Sequence, residues 1–153
     1  MSKKLPEIFF YKLKNTSSEL FLINLIEKSI NNNWNSVVLT DNIERMEEIN
    51  DLLWTYNETS FLPHGSQNDK NREHHKIYLT CEEENPNKSN IIFSIDGILI
   101  NNMKSWERCV YIFNEQNLKI ADQFELYKNQ INPSDYSVKS FEQDTNSKWI
   151  NSN

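Results

Sequence analysis

The chain has 153 residues and a mass of 18.2 kDa, with 37% hydrophobic and 25% charged residues and a formal charge of −6. That length holds one domain with a core and is too short for two; the acidic balance is spread over the whole chain, so no basic arm supports direct binding of nucleic-acid phosphates. Two glycines, Gly65 and Gly97, are too few to build a Walker loop, a dinucleotide turn or a Gly-x-Ser-x-Gly elbow.

Residues 7–13 (EIFFYKL) read as a first, buried strand. Thr16 and Glu19 stand at capping-box spacing and open a helix over about 17–32. Its Leu20, Phe21, Ile23, Leu25, Ile26 and Ile30 cover more than one face, and Asn31-Asn32-Asn33 ends it. Residues 35–40 (NSVVLT) are a second strand. Asp41 is positioned to cap the next helix, with Glu44 in the box position. In that helix Met46, Ile49, Leu53 and Tyr56 share a core-facing stripe. Trp54 sits about 100° round from Leu53, at the stripe's edge. From Thr59 the chain enters a polar loop that runs to about Lys76.

Residues 76–81 (KIYLTC), 91–95 (IIFSI) and 108–113 (RCVYIF) read as further strands, with a polar turn over 82–90 and a loop or short helical turn over 98–104. A helix follows from about Glu115 to Ile131, with Leu118, Ala121, Phe124 or Glu125, and Lys128 in one series. Pro133 breaks it, 136–141 (YSVKSF) alternates like a last strand, and residues 144–153 are expected to be a loose tail apart from Trp149. Strands alternating with helices predict a single α/β domain over 1–153, with a central, largely parallel sheet flanked by helices.

No constellation names a reaction. His64, His74 and His75 lack metal-site spacing, even with Cys81 added, and Glu82-Glu83-Glu84 is a solvated turn rather than an acid–base pair. Cys109 lies in an apolar strand, where thiols pack. The expectation is no catalytic residue, no metal and no cofactor. The opening Met-Ser-Lys-Lys-Leu-Pro has no apolar stretch, the two cysteines form no Cys-x-x-Cys, and no apolar run nears the roughly 20 residues of a membrane span. A cytoplasmic protein is expected.

The distinctive stretch is apolar: Leu52-Leu53-Trp54, six residues, then Phe61-Leu62-Pro63-His64-Gly65. Large aromatics at a helix end and in the loop after it make a candidate partner patch, or a staple of the loop onto the core. This segment resembles the chi subunit family of the bacterial DNA polymerase III holoenzyme, whose pattern is Leu-Trp, a short polar spacer, then Ser-Phe-hydrophobic-Pro-His. The opening aromatic strand Ile8-Phe9-Phe10-Tyr11, Trp34 after the first helix, and the strand Cys109 to Phe113 extend the resemblance along nearly the whole chain.

The resemblance implies a Rossmann-like α/β fold without a nucleotide-binding loop, and a non-catalytic accessory subunit in DNA replication. It implies two partners: the psi subunit of the clamp loader, or its equivalent, and the acidic, Pro-Phe-ended C-terminal tail of single-stranded-DNA-binding protein. Trp54, Phe61, Pro63 and His64 match the psi-facing positions. The tail site falls on the helix from Asn117 to Ile131, with Phe124 or Tyr127 as aromatic wall and Lys119 and Lys128 as cations. The Arg that the family carries on this helix falls on Ala121 or Asp122 here, and Pro133-Ser134 replaces a Gly before the last strand. Lys neutralises a carboxylate but lacks the fork of Arg. Neither nucleic acid nor membrane is an expected direct partner. The competing reading is a small α/β enzyme acting on a nucleotide or phosphate ester.

Overall fold

The computed structural model describes residues 4–55, 64–66, 72–146 and 148–151. Eight strands form one sheet: β1 (Glu7–Leu13), β2 (Ser36–Leu39), β3 (His64–Ser66), β4 (Ile77–Thr80), β5 (Ile91–Ser94), β6 (Arg108–Asn114), β7 (Ser137–Gln143) and β8 (Trp149–Asn151). Their order across the sheet is β3-β4-β2-β5-β6-β1-β7-β8, and every pairing is parallel except β7 with β8. Among the described residues, three α-helices connect them: α1 (Ser18–Asn31), α2 (Ile43–Thr55) and α3 (Leu118–Gln130). The expected α/β architecture with a largely parallel sheet is what the chain forms.

The central strands are apolar at nearly every position because helices cover both of their faces. Phe9, Leu13, Val38, Leu79, Phe93, Val110 and Ile112 point to one side and pack under α1 and α2. Ile8, Phe10, Val37, Tyr78, Ile92, Tyr111 and Phe113 point to the other and meet α3 and the segment around Ile100 and Trp106. Each fully buried side chain of this size stabilises the fold by about 1.5–3 kcal/mol before chain entropy is subtracted.

The helices begin where short polar side chains satisfy free backbone N–H groups. Ser17, not Thr16, caps α1, its Oγ accepting from the Leu20 N–H at 3.1 Å. Asn42, not Asp41, serves α2, its Oδ1 accepting from the Arg45 N–H at 2.8 Å. Asn117 does the same for α3 through the Ile120 N–H.

The connection from β4 to β5 passes over β2 without a helix. Asn87, 1% exposed, holds it: its Nδ2 donates to the Ser36 and His75 carbonyls at 3.3 and 2.7 Å, and its Oδ1 accepts from the Ser89 hydroxyl. The polar run expected as a simple turn thus fastens β2 to β4. After β5 the chain turns at Gly97, whose φ of +81° excludes most side chains, while a Cβ there would sit 3.1 Å from Ile120 of α3.

Two edges differ from expectation. His64–Ser66, read as loop, is an edge strand in register with Ile77–Leu79. Residues 149–151, in the segment read as loose apart from Trp149, pair as a strand with Phe141–Gln143, and Trp149 packs on Tyr11 and Phe21.

Candidate functional site

Three regions follow from this framework. The first is the outer side of α2. Met46, Ile49 and Leu53 recur at helical spacing and are buried, so α2 has one committed face. Trp54 falls off that face and is 56% exposed; Ile43, on nearly the same line three turns earlier, is 54% exposed. Glu44, Glu47 and Asp51 stand beside them, all exposed. The sequence singled out Trp54 but missed Ile43; the eleven-residue spacing between them was the available signal. Of the residues expected to share this patch, Phe61 and Pro63 lie outside the described residues, as does Tyr56. His64 opens β3, hydrogen-bonded to β4.

The second region is α3. Its sheet-facing side is Ala121 and Phe124, flanked by Ile120, Tyr127 and Ile131. Leu118, placed in that series from the sequence, lies about 120° from Phe124 and is 72% exposed. Phe124 is 1% exposed, its ring centred 5.8, 5.1 and 4.9 Å from those of Phe10, Tyr111 and Phe113. Of the two aromatics offered for a groove wall, Tyr127 is therefore the one at the surface. A groove of about 550 Å³ runs between α3 and Leu99, lined by Lys119, Asp122, Gln123, Leu126 and Tyr127. Tyr127 donates its hydroxyl proton toward the Met103 sulfur at 3.3 Å, and burial raises its pKa. Lys119 is exposed. Lys128 is partly covered, with its ammonium 3.5 Å from Glu125.

The third region is the crevice at the carboxyl ends of β1, β2, β5 and β6, where doubly wound sheets usually take ligands. It measures about 340 Å³ and lies among the starts of all three helices, at Ser18, Asn42 and Asn117. Arg45 crosses it, with contacts to Glu19 at 2.5 Å, Glu48 at 2.9 Å and Asp96 at 3.0 Å. Asp41 adds a fourth carboxylate at the rim. Burial opposes the charge of Glu19, yet the hydrogen bond and charge of Arg45 outweigh it and hold that carboxyl below its ordinary pKa. Three carboxylates around one guanidinium leave a negative site, which repels a phosphate.

The remaining candidates are structural. Cys109 is fully buried, and burial, with a smaller push from Glu83, raises its thiol pKa to about 12, far from the thiolate a nucleophile needs. Among the described residues no three His, Cys, Asp or Glu side chains gather at a metal-binding distance. No described helix is long and apolar enough to cross a membrane.

Comparison with known proteins shows the family rather than the sites. The family model of the DNA polymerase III chi subunit, HolC, matches residues 5–131, from before β1 to the end of α3. A protein of Rickettsia prowazekii (strain Madrid E), described as a probable DNA polymerase III subunit chi, is 40% identical over 88 residues. That match covers 56% of this chain and 53% of the relative, so the likeness spans about half of each.

Proposed function

The chain belongs to the DNA polymerase III chi subunit family, and from that premise we propose that it is a non-catalytic adaptor linking two protein partners. The α2 face, through Trp54 with Phe61, Pro63 and His64, meets the psi subunit or whatever replaces it in the clamp loader. The α3 groove, through Lys119 and Tyr127 with Lys128 on the neighbouring side of the helix outside its lining, receives the acidic C-terminal tail of single-stranded-DNA-binding protein. Two modest affinities in one assembly raise the effective concentration of polymerase at coated template.

The observation that carries this reading is the exposure of Trp54 at the end of a helix whose core-facing residues are all satisfied elsewhere. A tryptophan covers a large area at low entropic cost, and such residues dominate binding energy at interfaces. The groove beside α3 supports the tail as second partner: Leu99, Leu126 and Tyr127 give it an apolar wall and Lys119 a cation, against one acid, Asp122. Tyr127 fills the wall position, while Phe124 belongs to the core and supports the groove from beneath.

The competing enzyme reading has less support. A nucleotide or phosphate ester would enter the crevice at the strands' carboxyl ends, and the carboxylates around Arg45 oppose it.

Trp54→Ala tests the first contact. It is expected to cost less than about 1 kcal/mol of stability while weakening clamp-loader association at least tenfold, read by co-purification and calorimetry. Unfolding, or unchanged association, would sink the adaptor role of this face. The second contact is tested by fluorescence anisotropy of a peptide copying the last ten or so residues of the cognate single-stranded-DNA-binding protein. Binding should weaken with salt and with Lys119→Ala or Lys128→Ala; binding indifferent to both substitutions would remove the tail from α3.

A further inference from the structure

A cleft of about 420 Å³ opens on the other face of the sheet, beside the second half of α1. Its base is the buried sheet residues Phe9, Phe93 and Val110, and Tyr11 and Trp34 stand at its sides. The α3 groove does not reach it, since α3 packs on the opposite face, and Trp54 is not among its lining residues.

The rim of this cleft is cationic in a chain whose net charge is −6. The Arg108 guanidinium lies 4.5 Å from the Phe9 ring centre and 5.0 Å from that of Trp34. Its Nε and Nη2 both donate to one oxygen of Glu7, at 3.2 and 2.9 Å. Among the described residues no acceptor meets Nη1. Lys28 lines the cleft, and the Lys139 ammonium lies 5.7 Å from the Phe9 ring centre; neither makes an ion pair with a described residue. Arg108 and Lys28 thus line the cleft, Lys139 stands just beyond Phe9 on β7, and Glu7 is the carboxylate paired with Arg108.

An apolar ring fits this base, because Leu25, Ile91 and Phe93 line the cleft beside Tyr11 and Trp34, while the Arg108 guanidinium covers Phe9. Anions complete the rim, because among the described residues the Arg108 Nη1 meets no acceptor and neither lysine has an ion-pair partner. The number of anions is limited. Glu27 and Glu107 adjoin Lys28 and Arg108 in sequence, so a long polyanion leaving the cleft meets repulsion, while two or three carboxylates match the three cations.

We propose that this cleft binds a short acidic peptide segment, which inserts one aromatic side chain beside Trp34 and sets its carboxylates against Arg108, Lys28 and Lys139. The site goes beyond the adaptor reading and does not depend on it. A peptide held at α3 leaves this cleft open.

The chain's four tryptophans make the test direct, since Trp34 sits in the cleft, Trp54 on α2, Trp149 on β8 and Trp106 in the core. In 15N–1H spectra, acetyl-Asp-Asp-Phe-Asp-amide, raised to about 1 mM, is expected to shift the Trp34 indole signal saturably and leave the other three in place. The exposed pair Lys28→Glu/Lys139→Glu should weaken that shift at least tenfold with an unchanged thermal midpoint. Lys119→Ala/Lys128→Ala should leave it intact, whatever that pair does to tail binding. No Trp34 shift, equal binding by a peptide with Ala for Phe or Lys for Asp, or loss of the shift in the α3 pair instead would each overturn the proposal. So would a six-residue oligothymidylate that displaces the peptide through the same lysines.

Discussion

Arg45 and Arg108 occupy the two ends of the same sheet, each beside a cleft of comparable size, and they behave differently. Arg45 faces carboxylates from α1, from its own helix and from the turn after β5, so its donors are committed and the crevice stays negative. Among the described residues Arg108 faces one carboxylate, Glu7, lays its flat surface on two aromatic rings, and has no acceptor at Nη1. A guanidinium near a cavity is thus no evidence of an anion site until its carboxylates have been counted.

The largest expected difference comes from deleting Arg45. Arg45→Leu leaves Glu19, Glu48 and Asp96 crowded without a cation, and we expect a loss of about 2–3 kcal/mol with no change in peptide binding at the Arg108 cleft. Chemical denaturation and the Trp34 titration check both parts. The pH dependence sharpens it. Glu19 has its folded pKa held below the unfolded value near 4.5, so the folded state binds fewer protons there than the unfolded state. Its stabilisation is present above that value and is lost as pH falls through and below it. The acid limb of the stability profile should be shallower in Arg45→Leu than in the parent; an identical slope would mean that the pair does not couple.

A smaller effect is expected at the other arginine. Glu7→Gln removes the one carboxylate beside Arg108 while keeping an acceptor, and should change stability by less than about 1 kcal/mol while tightening acidic-peptide binding several-fold. Weaker binding would show that Glu7 orients the guanidinium rather than competing for it. A last comparison, visible only at high pH, sets the two thiols side by side, one enclosed and one at a strand end. Cys109 ionises near 12 in the fold against about 9 when unfolded, so its contribution to stability is present below pH 9 and is lost between about 9 and 12. Alkylation at pH 8 should label half-buried Cys81 first and reach Cys109 only on unfolding, as peptide mass spectrometry would show.

Much of the fold was legible in the chain. The strands at 7–13, 36–39, 77–80, 91–94 and 108–114 announced themselves as dense β-branched and aromatic runs, and the three helices by their apolar spacing. Errors clustered where one residue of register or a distant partner decides. Thr16 and Asp41 matched capping patterns as well as Ser17 and Asn42 did, and the difference lies in which side chain reaches the first free N–H. Leu118 looked like a core residue because the apolar series on α3 can be drawn in two ways, and only the sheet beneath selects the line through Phe124. The edge strands His64–Ser66 and Trp149–Asn151 carry no strand-like run, since their pairing depends on what β4 and β7 present.

For the sites, Trp54 could be marked from its 100° offset, and the family's outline could be read from the segment 52–65. Composition alone excluded phosphate-binding loops, because backbone cannot wrap an anion there without glycine. Charge pairing was beyond reach of the sequence. Nothing in the order of residues says that Arg45 meets Glu19 and Asp96, 26 and 51 positions away, or that Arg108 meets Glu7, 101 positions away. Periodicity and local capping act over a few residues and are written in the chain, whereas the sign of a cleft is a sum over side chains that only the folded sheet brings within a few ångströms of one another.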